Sequence, residues 1–436
     1  MNDATLGAAG TAVPHAAAGA AAPRQSQFRL IAACSIGNAL EMYDFTVYSF
    51  FAILIGKLFF PSDSAYGSLL LAVATFGIGF VMRPLGGFVI GNYADRHGRK
   101  AAMTLTIGLM VAGTLCLALA PTYAAAGLFG PLMIVAGRLL QGFSLGGEIG
   151  ASTAMLMEAG GVQGRGFRIS WQLGSQGIAA LLGALTAAIL YGALPPDALE
   201  SWGWRLPFFL GLAIAPVGLY IRRHLDETHV PEARAASPLG TLFREHGGLV
   251  AKGILTIIGG TVGTYLVVYF MPTYMIRELH LPASLSLLAG CVTGVVCLAA
   301  SLLSGWLADR LPRRKPLVVC AMLFTLVALY PSFWLMTRYP SVPLALGLSA
   351  MLAASLYIGA TPMLLVLMEA LPAKVRASGL SVIYAIGVTV FGGSCQFVVT
   401  WLLARTHNPL APAFYMMACG LITLLAILSI RERRTD

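Results

Sequence analysis

The chain has 436 residues, 58% of them hydrophobic and 11% charged, with a formal net charge of +10. A soluble globular chain carries about 25% charged residues, so a water-covered fold of this length is excluded, and the apolar excess points to a bilayer. Nucleic-acid binding would need a basic soluble surface or arm, and none is present.

Residues 1–27 are predicted to be a flexible tail, rich in Ala, Gly and Pro over their first 23 positions. A helix needs about 20 apolar residues to cross the hydrocarbon. Twelve segments qualify: 30–56, 67–90, 101–120, 127–155, 168–193, 206–221, 252–275, 282–307, 316–337, 343–368, 378–403 and 411–430. The sixth is the shortest. Together they predict an all-α membrane protein of two six-helix bundles, 28–222 and 250–431. The polar stretch 223–249 joins the bundles, and 432–436 forms a second short tail. The seven cysteines fall inside apolar segments and form no CxxC, so neither a disulfide framework nor a metal site is expected.

Lys and Arg in the connections set the orientation. With the N-terminus cytoplasmic, 21 basic residues fall on the cytoplasmic side and 5 on the other. Both termini are therefore expected inside an inner (plasma) membrane. Arg83 and Arg138 lie within the membrane.

The halves repeat. Gly91-Asn-Tyr-Ala-Asp95-Arg96-His-Gly98-Arg99-Lys100 follows the second span. Gly305-Trp-Leu-Ala-Asp309-Arg310-Leu-Pro312-Arg313-Arg314 follows the eighth. A Glu with an Arg seven residues later follows the fourth span (Glu158, Arg165) and again the tenth (Glu369, Arg376).

Intramembrane ionisable residues are functional candidates, because charge is costly there. These are Glu41, Asp44, Arg83, Arg138 and Glu148, all in the first half. Asn38, Glu41, Asp44 and Tyr48 form one stripe on the first helix; Gln141 and Glu148 share a face of the fourth. The second half offers Tyr265, Tyr269 and Tyr357 instead. Proton coupling is expected at Glu41, Asp44 or Glu148, since every histidine lies in a tail, a loop or a helix end. Arg138 is expected to hold a substrate carboxylate in its planar fork, with Gln141, Asn38, Tyr48, Gln172, Tyr265, Tyr269 and Tyr357 as further substrate contacts. Arg83 is expected to pair with Glu41.

The Gly-x-x-x-Asp-Arg-x-Gly-Arg-Lys loop and Arg138-Leu-Leu-Gln141-Gly142 resemble motifs of the major facilitator superfamily. Gly37-Asn38-Ala-Leu-Glu41-Met-Tyr-Asp44-Phe45, Arg83-Pro84-Leu85-Gly86 and Trp202-Gly203-Trp204-Arg205 are similar to its metabolite:proton symporter branch. Tyr269-Phe-Met-Pro272-Thr273-Tyr274 resembles the citrate and tricarballylate carriers within it. The resemblance implies alternating access around a cavity lined by helices 1, 4, 7 and 10, with the proton as coupling ion, no cofactor, and a protein that works as a monomer. It also implies a cytoplasmic latch of the outward-open state. Asp95 would meet a positive helix N-terminus of the other half, Arg96 and Arg99 would pair with Glu158, and Arg310 and Arg313 with Glu369; Gly91, Gly98, Arg165, Asp309 and Arg376 complete the gate. The function implied is proton-coupled uptake of a small organic acid such as citrate or another tri- or dicarboxylate. A zwitterionic osmolyte or a shikimate-like acid is the alternative substrate.

Overall fold

A computed structural model describes residues 24–64, 66–97, 99–146, 153, 156, 164–213, 216, 238–372 and 376–432. Among them the secondary structure is helical, with no strand. Twelve elements succeed one another. They are α1 (Arg24–Phe50), α2 (Gly67–His97), α3 (Arg99–Leu119), α4 (Phe129–Leu145), α5 (Arg165–Ala193) and α6 (Leu206–Gly211). The second half has α7 (Pro238–Gly263, continued by Thr264–Phe270 and Met271–Arg277), α8 (Ala283–Arg310), α9 (Lys315–Arg338), α10 (Val342–Ala370), α11 (Arg376–Gly387, continued to Thr406) and α12 (Ala411–Ser429). Among the described residues eight helices are long and apolar enough to cross a membrane, and α1 with its continuation makes a ninth. The elements α3 and α4 contain shorter apolar helices, Thr104–Leu119 and Phe129–Leu145.

Two differences from the expected spans stand out. The first span is broken: α1 stops at Phe50, and the short helix Ala52–Phe59 leaves it at 65°. Residues 238–249, assigned to the linker, are helical, with a kink at His246 (φ −127°, ψ 15°). The chain enters α9, α10 and α12 with a proline in the first turn, where the missing N–H costs no hydrogen bond.

The halves meet along two seams. On one, α5 and α8 approach at backbone distance. A Cβ at Gly305 would lie 2.5 Å from the Gly166 carbonyl oxygen, and one at Gly177 2.6 Å from that of Gly294. Only glycine permits such an approach. On the other, α2 meets α11: Thr389 donates to the Phe80 carbonyl (2.9 Å), and a Cβ at Gly77 would lie 2.6 Å from the Gly393 carbonyl oxygen.

The two ends of the molecule are held differently. At the end of the chain termini, Asp309 accepts hydrogen bonds from the backbone N–H groups of Gly166 (2.7 Å) and Phe167 (2.8 Å). A carboxylate of one half thus caps the positive N-terminus of α5 in the other half. At the opposite end, Tyr66 donates to Glu278 (2.8 Å) and Arg277 lies 5.0 Å over the Tyr66 ring. Deeper in, Gln396 donates to Ser49 (2.6 Å), and Ser49 to the Tyr269 carbonyl (3.3 Å). The Asp309 contact was expected to mark a state open at the opposite end; here it is made while that end is also bridged.

Candidate functional site: a central cavity beside a buried charge network

Between the halves lies a cavity of about 80 Å³. Its wall comes from α1, α2, α5, α7, α10 and α11: Met42, Arg83, Leu173 and Gln176 from the first half, and Thr264, Tyr265, Leu356, Tyr357, Met363 and Tyr384 among those of the second. Both helices that carry a π-helical stretch, α7 at Thr264–Phe270 and α11 at Val388–Gly392, place residues of that stretch (Thr264, Tyr265, Val388) in this wall. A π-turn rotates the side chains that follow it and recurs at functional positions.

Among the described residues Arg83 is the one charged side chain of this lining. Its guanidinium lies 4.0 Å over the Phe80 ring and 5.1 Å from that of Phe45. Its Nε and Nη2 have no hydrogen-bond partner. Tyr265 and Glu41 are its electrostatic neighbours.

Arg138 is elsewhere. It is wholly buried, with its guanidinium 3.9 Å from the Tyr48 ring centroid, 4.9 Å from Phe45 and 5.6 Å from Phe76. It donates to Gln141 Oε1 (2.8 Å). Gln141 turns its amide N–H to Asp44 (3.0 Å) and to Thr114 (3.0 Å), and Thr114 donates to Asp44 in turn. Arg138 and Asp44 therefore communicate through one amide instead of forming a direct ion pair. The second carboxylate oxygen of Asp44 has no donor and faces Gly211 of α6, where a Cβ would overlap it. Thr114 on α3 was not singled out in the sequence; one threonine in an apolar run carries no signal of its own.

Several expected substrate contacts prove to be bonds between helices. Asn38 donates to Ser175 (2.7 Å) and to the Gln172 carbonyl (3.2 Å), tying α1 to α5. Tyr48 donates to the Ala72 carbonyl (3.1 Å). The Tyr269 carbonyl serves Ser49. None of these three, nor Gln172, Gln141 or Arg138, lines the cavity. Tyr265 and Tyr357 do, and Gln176 and Tyr384 join them without having been read from the sequence.

At the chain-termini end, Glu369 was expected to meet Arg310 and Arg313. Instead it is paired with the buried Arg314 (2.5 Å), whose position at the start of α9 points it inward. Arg310 lies 3.6 Å over Trp306, and Arg313 is exposed. Arg376 donates to the Met368 carbonyl (2.8 Å), bracing the turn out of α10. Arg165 opens α5. The second span was expected to end at residue 90, but α2 runs on to His97, so the backbone of Gly91, Asp95 and Arg96 is helical, and Arg99 opens α3. Their side chains, and Gly98, Glu148 and Glu158 altogether, lie outside the described residues. Among the described residues no group of three His, Cys, Asp or Glu could hold a metal ion.

The Major Facilitator Superfamily model matches residues 34–394. A citrate–proton symporter of Klebsiella pneumoniae is 35% identical over 396 residues, covering 89% of this chain and 88% of its own. A glycine betaine/proline/ectoine/pipecolic acid transporter of Dickeya dadantii is 33% identical, covering 93% and 83%. Among solved structures, a D-xylose–proton symporter superposes with a TM-score of 0.75 at 20% identity, over 92% of this chain and 97% of that one. Matched over most of its length by the family model and by relatives more than 30% identical to it, the chain belongs to the Major Facilitator Superfamily, with that superfamily's fold of twelve transmembrane helices.

Proposed function

We propose that the protein is a secondary active transporter that carries a small organic acid, citrate or another di- or tricarboxylate first, inward with protons. The bundles 28–222 and 250–431 would rock about the cavity by alternating access, in an inner membrane with both termini cytoplasmic. The chain-termini end is then the cytoplasmic end, in keeping with its 21 basic residues. No cofactor is needed, and one chain contains the whole cavity, so a monomer suffices.

The observation that carries the reading is Arg83. It is a guanidinium in the cavity wall with two nitrogens unbonded. Among the described residues no carboxylate shares the lining. Such a wall favours an anion, and a carboxylate fits the guanidinium fork. Tyr265, Tyr357, Tyr384 and Gln176 would supply the remaining contacts. Asp44, with Thr114, Gln141 and Arg138 around it, is the proton-carrying carboxylate of this reading, and Glu41 is the group that releases Arg83 to substrate. Glu148 stays in the proposal as a third carboxylate. Arg138 changes role, from substrate contact to the fixed charge against which Asp44 titrates. Asp95, Arg96 and Arg99 with Glu158 would form the first-half counterpart of the Asp309 contact.

The three tyrosines around the cavity favour a second reading, since aromatic faces attract a quaternary ammonium: a zwitterion such as betaine. Counterflow in proteoliposomes with a panel of organic acids and zwitterions decides between them. Exchange of labelled citrate, inhibited by dicarboxylates and not by betaine or proline, is the expected result. The opposite pattern removes the organic-acid reading.

A further inference from the structure

Behind the central cavity is a second one of about 50 Å³, enclosed by α7, α9, α10 and α12. The two share part of their lining: Gly260, Leu356, Ala360 and Met363. The partition is thin at Gly260. A Cβ added there would meet only the terminal methyl of Met363, at 3.4 Å. So α7 offers no side chain where the spaces adjoin, and the obstacle is the tip of an unbranched, flexible thioether that can swing aside.

The rear cavity has a definite chemistry. Its only hydroxyls are those of Thr325, Ser355 and Thr423. Thr325 donates to Ser355 (2.8 Å), and Ser355 to the Leu352 carbonyl (2.8 Å). Thr423 donates to the Leu255 carbonyl (2.9 Å) and accepts from the Gly259 N–H (2.7 Å). These groups are bonded within the protein, and no charged residue lines the space among the described residues. The surface left for an occupant is aliphatic and thioether, such as Leu326, Leu329 and Met416.

We propose that the rear cavity is a subsite for an apolar substituent of the transported acid. The substrate class is then a carboxylic acid bearing a short alkyl or aryl arm. Its carboxylate sits at Arg83, and its arm passes Gly260 and displaces Met363. The inference rests on the organic-acid reading and narrows it. Gly260 sets whether an arm can pass, and Met363 sets how wide it is. Each methylene buried from water raises affinity by about fourfold, so an arm seating two or three carbons gains roughly 15- to 60-fold.

The test uses the purified full-length protein and calorimetric titration with malonate, ethylmalonate and butylmalonate. The quantity read is the affinity ratio of butylmalonate to malonate within each variant. In the wild type the ratio is expected to exceed tenfold. Gly260→Leu, which fills the passage, should bring it close to one. Gly260→Ala, a smaller change that the 3.4 Å clearance admits, should lower it severalfold while the fold is retained. Met363→Ala should extend the gain to benzylmalonate. A wild-type ratio near one, with malonate itself bound, overturns the subsite and leaves the organic-acid reading standing. A ratio that survives Gly260→Leu also overturns it. If none of the acids binds, the organic-acid reading falls and takes the subsite with it.

Discussion

Two guanidinium groups of the first bundle lie 5.1 and 4.9 Å from the centroid of one ring, that of Phe45, and their surroundings differ. Arg138 is closed in by Tyr48 and Phe76 and bonded through Gln141 toward Asp44. Arg83 rests on Phe80 and borders open space. Burial does not separate the two, since Arg83 is only 4% exposed and Arg138 not at all, and each leaves Nε and Nη2 without a hydrogen-bond partner. What separates them is place: Arg138 is closed in among rings and bonded to Gln141, which suits it to tuning a neighbouring carboxyl group, whereas Arg83 stands in the cavity wall, where its free nitrogens can meet something that comes and goes.

The largest expected effect lies on the Arg138 side. Asp44→Asn should abolish accumulation driven by a pH gradient while leaving exchange of internal for external solute intact, because exchange requires no net proton release. Uptake into proteoliposomes with and without an imposed gradient measures both. If Glu41→Gln uncouples and Asp44→Asn does not, the proton sits beside Arg83, and the division of labour is reversed.

On the cavity side, Arg83→Ala should weaken binding of the best organic acid by roughly 10- to 150-fold, the loss of one charge-assisted contact of about 1.5–3 kcal/mol. Arg83→Lys should fall between it and the wild type, keeping the charge without the fork. Binding isotherms read this directly. Arg138→Ala should instead leave affinity within a few-fold and lower thermal stability. An Arg138→Ala protein that is stable but no longer binds would restore Arg138 as the anion site.

Gln141→Leu tests the bridge. It removes the amide joining Arg138 to Asp44 and leaves both buried groups short of a partner, which costs about 1–3 kcal/mol of stability. Thermal unfolding should show the loss.

The smallest effect is expected at the opposite end. Tyr66→Phe deletes the hydrogen bond to Glu278, worth about 0.5–1.5 kcal/mol. That should shift the conformational balance about two- to twelvefold toward the form open at that end. Spin-label distances between positions 62 and 281 would report it, and an unchanged distribution would show that this contact does not hold the end shut.

How much of this could be read from residues alone follows from what each signal measures. Hydropathy and the repeated Gly-x-x-x-Asp loops carry the twelve helices and the two halves, because a bilayer imposes length and apolarity on every crossing segment. The intramembrane charges were equally plain, since each is an exception in an apolar run. Their directions were not. A spacing of three puts Arg138 and Gln141 on one face of α4 but does not say that Phe45, Tyr48 and Phe76 from other helices cover that face. Arg83 looked like a mere partner for Glu41, yet it borders the cavity because α2 meets α11 closely through Gly77 and Gly393. Gln176 and Tyr384 were invisible for the converse reason: a single glutamine or tyrosine among apolar residues resembles any helix-to-helix contact until the neighbouring helices are in place. Arg314 was hidden by its position in a run of basic residues.

The α5–α8 seam has a mechanical consequence. Side chains that interlock resist sliding, because every displacement drives one knob out of its hole. At Gly166, Gly177, Gly294 and Gly305 the nearest atoms across the seam are largely backbone, with the small side chains of Ser170 and Cys297 and the Asp309 carboxylate beside them, so the surfaces approach a plain bearing on which one half can turn with little loss of contact. A bearing without friction needs a detent. Asp309 supplies one at the chain-termini end, where two N–H groups of α5 are gripped by a carboxylate that lets go within a fraction of an ångström of travel. The rotation should then be gradual along the seam and abrupt at that clip, so that the dwell time in each orientation is set by two hydrogen bonds and not by the whole length of the contact.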